Sequence, residues 1–130
     1  MKELAVEANI KYLDQVQDFV CGALQGCPPR VQNQIAIAVD ELFSNIAHYA
    51  YVQDAGTVIV RVKAGDAVTI EFEDSGRPYD PLSNDDPDLS LDVDAREVGG
   101  LGIFMVKNMM DSVAYRREGN KNILTIQKSV

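Results

Sequence analysis

Ile35–Tyr51 reads IAIAVDELFSNIAHYAY, and its spacing predicts one helix with two unlike faces. Ile35, Val39, Leu42, Phe43, Ile46 and Ala50 fall on one stripe, and Glu41, Ser44, Asn45 and His48 fall on the opposite one. The first stripe is suited to packing; the second presents polar groups. Glu41 and Asn45 stand one turn apart, so a carboxylate and a carboxamide point the same way and can serve one ligand. Taken alone, this is also the pattern of any solvated amphipathic helix. Its meaning depends on the chain to either side.

Upstream, the loose alternation of Leu4 to Ile10 predicts a short strand, followed by a helix from about Lys11 to Leu24 that turns Leu13, Val16, Val20 and Leu24 inward, with Asn9 as its cap. Gly26-Cys27-Pro28-Pro29 breaks that helix, and the next begins near Val31 and ends around Tyr51. Downstream of a turn at Asp54-Ala55-Gly56, TVIVRVK (Thr57–Lys63) and AVTIEFE (Ala67–Glu73) alternate with a period of two and predict a strand hairpin. From Ser75 to Val98 the chain is polar, acidic and interrupted by Pro78, Pro81 and Pro87. Gly99-Gly100-Leu101-Gly102 then opens a short apolar helix, IFMVKNMM, in which Met105, Met109 and Met110 read as core filler. Two last strands, Ser112 to Arg117 and Asn122 to Gln127, turn at Gly119-Asn120. Helices and strands mix without regular strand-helix alternation. The expected fold is therefore α+β, a two-layer sandwich whose mixed, mostly antiparallel sheet carries helices on one face.

The 130 residues make one domain, large enough to bury a core. A formal net charge of −8 disfavours direct nucleic-acid binding, which needs cations to displace counterions from phosphates. No apolar run is long enough to cross a bilayer and the first residues lack a signal-peptide core, so the expected location is cytoplasmic, with no membrane partner. Cys21 and Cys27, without histidines at ligand spacing, make zinc improbable and are expected as reduced thiols.

Two further stretches carry chemistry. Asp74-Ser75-Gly76-Arg77-Pro78 follows a strand; an ionised carboxylate there accepts from an exocyclic amine such as that of adenine, and Gly76 lets a flat ring approach the backbone. Gly99-Gly100-Leu101-Gly102 exposes backbone N–H groups at a helix N-terminus, where a phosphate is favoured, although no Walker sequence is present. Separately, each is also an ordinary turn.

In order, Glu-x-x-x-Asn on a helix, Asp-x-Gly-x-Pro after a strand and Gly-x-Gly opening a helix resemble the ATP-binding (Bergerat) domain of the GHKL superfamily, the histidine kinase-like ATPases. Within it, ELFSNIAHYAY (Glu41–Tyr51), GRPYDP (Gly76–Pro81), GGLGIFMVKNMMDSVAY (Gly99–Tyr115) and the closing KNILTIQK are most similar to the anti-sigma factor serine/threonine kinases of the RsbW and SpoIIAB type. That resemblance implies ATP and Mg²⁺ as cofactors. Asn45 would ligate Mg²⁺, Glu41 would orient or deprotonate the attacking hydroxyl, and Asp74 would hold the adenine amine beside Gly76. Arg96, Gly99, Gly100, Leu101 and Gly102 would border the phosphates, and a lid at about 77–98 would cover the nucleotide. The lid's Asp85, Asp86, Asp88, Asp92 and Asp94 would repel a polyphosphate, so its flanks, Arg77 and Arg96 among them, are the parts expected to approach. The implied function is a protein kinase that phosphorylates a small STAS-type antagonist and sequesters a sigma factor; homodimerisation is implied in the same way. The alternative is a nucleotide-dependent protein-binding switch without efficient phosphotransfer. His48 is expected at the pocket edge or in a structural hydrogen bond rather than as a phosphoacceptor.

Overall fold

The computed structural model describes residues 1–50, 56–82 and 100–130. Strand β1 (Lys2–Glu7) leads through a 3-10 turn (Ile10–Tyr12) into α1 (Leu13–Ala23) and α2 (Pro29–Asn45). β2 (Thr57–Lys63), β3 (Ala67–Asp74), α3 (Gly100–Met109), β4 (Ser112–Glu118) and β5 (Lys121–Ser129) follow. The sheet runs β1-β2-β3-β5-β4, and all four pairings are antiparallel, which refines the expected mixed sheet. The fold is α+β, with the helices on one face.

Alternation explains why that face is the covered one. Val58, Val60 and Val62 of β2, Val68, Ile70 and Phe72 of β3, and Leu124 and Ile126 of β5 all point toward the helices and are buried. Val16, Val20 and Leu24 from the first helical stretch, with Ile35, Val39, Leu42 and Phe43 from α2, close the core from above. Each such large apolar side chain contributes about 1.5–3 kcal/mol on burial. The open face is polar: Arg61 on β2 bridges Glu3 on β1 at 2.8 Å and Glu71 and Glu73 on β3 at 2.9 and 3.3 Å.

Local signals mostly act as the residues predict. Asn9 caps its turn by accepting from the Lys11 N–H at 3.0 Å, although the first turn is 3-10 and Ile10 belongs to it rather than to β1. Pro29 starts α2 at its first position, where a missing N–H costs nothing, so the helix begins before Val31. Beyond Asn45 the helix widens into a π turn, Ile46–Ala50, with the Ile46 N–H reaching both Leu42 and Phe43 carbonyls. Gly119 takes φ +60° in the β4–β5 turn, a conformation that suits glycine. Cys21 and Cys27 are both thiols. No helix among the described residues is long and apolar enough to cross a membrane.

Candidate active site

The central helix α2 supplies Glu41 and Asn45. Asn45 is 8 % exposed, far from the solvated position its stripe suggested, because the sheet and the segment after β3 come up against that side of the helix. The two side chains hydrogen-bond each other, as their one-turn spacing requires. Burial raises the Glu41 carboxyl above its usual range; the bond from Asn45 opposes that rise and the nearby Asp40 charge adds to it. Ser44 turns instead to Asp40 at 3.3 Å, and His48 is exposed on the π turn.

α3 approaches α2 so closely at Gly102 that a Cβ there would fall on the Glu41 carboxylate, on its carbon and both oxygens. The glycine is required by that approach. It places the N-terminal turn of α3, which includes Gly100 and Leu101, beside the carboxylate. The second and third motifs therefore both meet the first, because Asn45 also shares a cleft with Asp74 at the end of β3. That cleft is about 20 Å³, lined by Asn45, Ile46, Asp74, Tyr79, Tyr115 and Asn122 among others.

Asp74 is 4 % exposed, at the last position of β3, where the alternation still points inward. Its Oδ1 accepts from the Gly76 N–H and from Asn122 Nδ2, each at 2.9 Å. Gly76 thus fixes the carboxylate through its backbone. Burial pushes the Asp74 carboxyl above its usual range, against the bonds from Asn122 and Gly76 and the Arg117 charge, with Glu73 adding to the rise.

Sequence reasoning missed Asn122, which pairs with Asp74 in the β3–β5 register. It also missed Tyr115, whose hydroxyl donates to Asn122 Oδ1 at 2.5 Å, and Arg117, which reaches the same atom at 3.1 Å and the Gly76 carbonyl at 2.9 Å. The available signal was an asparagine on the inward phase of a strand whose other inward residues are Leu124 and Ile126. Arg77 is exposed, and its carbonyl accepts from Asn122 at 2.8 Å. Arg96, Gly99 and most of the expected lid, from 83 onward, lie outside the described residues. A wider depression of about 1080 Å³ opens on the other face of the sheet, between Arg61, Glu73, Arg116 and Lys121, and contains neither Glu41 nor Asn45. Its charges are tied to one another, Lys121 to Glu73 at 3.5 Å and Arg116 to Glu118 at 3.1 Å.

Whether a magnesium nucleotide fits is decided by the donors present. A buried carboxamide oxygen is a hard ligand, a buried carboxylate is an acceptor for an amine, and the close approach at Gly102 sets the first turn of α3 beside Glu41. The residues fit.

The chain is 25% identical over 99 residues to the serine/threonine-protein kinase BtrW of Bordetella bronchiseptica, covering 75% of this chain and 70% of that protein. It is 25% identical over 130 residues to the serine-protein kinase RsbW of Staphylococcus aureus, covering 93% of this chain and 82% of that protein. Its fold is similar to that of the histidine kinase domain of the Erythrobacter litoralis EL346 blue-light activated histidine kinase, with a TM-score of 0.58 at 16% identity, over 95% of this chain and 61% of that one. The family model of the histidine kinase-like ATPase domain matches residues 6–128, a span that contains the whole Glu41, Asn45, Asp74 and Gly102 arrangement, and the chain belongs to that family.

Proposed function

We propose that this chain is an ATP-dependent protein kinase that phosphorylates a serine or threonine of a small STAS-type antagonist and, as an anti-sigma factor, holds a sigma factor. The observation that carries the reading is the contact of Glu41 with Gly102 on one side and Asn45 on the other, with Asn45 and Asp74 sharing one cleft. The names of the serine-protein kinase RsbW and the serine/threonine-protein kinase BtrW support the choice of hydroxyl acceptor over histidine.

In this reading Asp74 accepts the adenine amine and Gly76 lies against the ring. The cleft is large enough for about one water, so base entry moves the Tyr79–Pro81 wall outward. The N-terminal turn of α3 donates backbone N–H groups to phosphate oxygens. Asn45 would hold Mg²⁺ through its amide oxygen, the ion supplying charge neutralisation on the phosphates. Glu41 accepts the proton of the attacking serine hydroxyl as its oxygen bonds to the γ-phosphorus and ADP leaves. Its raised carboxyl makes it a stronger base than an exposed glutamate. An acidic surface suits a basic, DNA-binding partner such as a sigma factor.

The test is transfer of labelled γ-phosphate from ATP to STAS proteins of the same genome. Label on serine or threonine of one of them, lost in Glu41→Ala, supports the reading. Tight ATP binding with no transfer to any of them replaces it with the protein-binding switch.

A further inference from the structure

Asn122 has its hydrogen-bonding capacity used up by the protein. Both protons of Nδ2 are donated, to Asp74 Oδ1 at 2.9 Å and to the Arg77 carbonyl at 2.8 Å. Oδ1 accepts from the Tyr115 hydroxyl at 2.5 Å and Arg117 Nη1 at 3.1 Å, with the Tyr79 N–H more distant at 3.4 Å. An amide has no further donor to offer, so a ligand cannot be paired by Asn122 unless one of these is broken. The surroundings also fix which way the amide faces. Reversing it would set its NH₂ against the Arg117 guanidinium and the Tyr79 N–H, neither of which can accept, and its oxygen against a carboxylate and a carbonyl. At 4 % exposure, neither mismatch could be repaired by solvent.

The consequence falls on Asp74. Its Oδ1 is held by two N–H donors that cannot reverse, one from the backbone and one from Asn122, which keeps the carboxylate oriented as an acceptor toward the cleft. A 6-amino purine offers a donor to such a group and a 6-oxo purine offers a second acceptor. Resting on the nucleotide reading above, we propose that Asn122, locked by Tyr115 and Arg117, is a positioning residue that holds Asp74 as an acceptor and thereby sets the preference of the site for 6-amino over 6-oxo purine nucleotides. Arg117 joins the same unit to the Gly76 carbonyl, so the turn beside the base and the carboxylate move together.

The experiment is calorimetric titration of ATP and ITP, which differ at the purine 6-position, into wild type, Asp74→Asn, Asn122→Leu and Tyr115→Phe across a range of pH. For Asn122→Leu, ATP affinity should fall about tenfold, the ATP-over-ITP preference should fall about tenfold, and the acid limb of ATP binding should move to higher pH, because Asp74 has lost a donor that favours its charged form. Tyr115→Phe should change all three in the same direction by about threefold, through the loss of one donor to Asn122. Should Asn122→Leu fail to unfold cooperatively, Tyr115→Phe alone decides. ATP-over-ITP preference and acid limb within about twofold of wild type, even with weaker ATP binding, overturn the positioning role while leaving the pocket in place. Wild type that binds no ATP, or Asp74→Asn that binds it as wild type does, overturns the nucleotide reading itself and this inference with it.

Discussion

Gly102→Ala separates catalytic placement from stability. The added Cβ lands on the Glu41 carboxylate, the far end of a flexible side chain, so the side chain swings away and the backbone need not move. A displaced rotamer costs about 0.5–1.5 kcal/mol and the bond with Asn45 about 0.5–1.5 kcal/mol, whereas alanine in place of glycine in a helix returns about 0.5–1 kcal/mol. Gly102 has no positive φ to forbid the change. The net effect on stability is about −2.5 to 0 kcal/mol, which for a domain of this size lowers the unfolding midpoint by no more than about 10 °C. Catalysis should respond differently: a general base moved off its hydroxyl loses about 10²–10⁴-fold in phosphoryl transfer. The assay pairs thermal unfolding with labelled transfer to the phosphorylated partner. A variant that unfolds near the wild-type temperature and transfers within about fivefold of the wild-type rate would refute the role assigned to Glu41 in that position.

Glu41→Gln keeps the volume and the contact with Gly102, so it should bind ATP as wild type does while transfer falls by about 10²–10⁴-fold, read by titration and labelled transfer. Burial raises the folded Asp74 carboxyl above its unfolded value, so ionising it costs stability that is recovered as pH falls through the folded value. Asp74→Asn, whose amide oxygen can still accept from Gly76 and Asn122, should therefore unfold at or above the wild-type temperature at neutral pH. ATP affinity of the wild type should fall on acidification, beginning above the usual aspartate range, and titration against pH checks this. Arg61→Ala leaves Glu71 and Glu73, 19% and 12% exposed, as neighbouring like charges with Lys121 remaining beside Glu73, and should cost about 1–3 kcal/mol in denaturant unfolding while ATP affinity is unchanged.

Much of the layout was legible because its signals are local. Thr57–Lys63 is the strand its alternation predicts, residue for residue, and β3 extends the expected range only by Asp74. The Pro28-Pro29 pair placed the start of α2 to within two residues. The contacts that make the site are not local. Asn45 looked solvated because helical periodicity cannot report what a distant strand brings against it. Asn122 meets Asp74 only because β5 inserts between β3 and β4, a topology that no hairpin pattern specifies. The need for glycine at Gly102 comes from Glu41, and neither residue's own neighbours encode it. The π turn after Asn45 runs through Ile46–Ala50, a stretch that pattern alone reads as continuous helix.

The central claim is a nucleotide pocket built on Asp74, and it is tested most directly by thermal unfolding of wild type and Asp74→Asn with ATP, ADP or no nucleotide, with and without Mg²⁺. A ligand at about a hundred times its Kd adds about 2.7 kcal/mol, so the wild-type midpoint should rise by about 5–10 °C. The rise should be absent in Asp74→Asn. A wild type that unfolds cooperatively at one temperature in every condition, or a variant that shifts as far as wild type, would contradict the account.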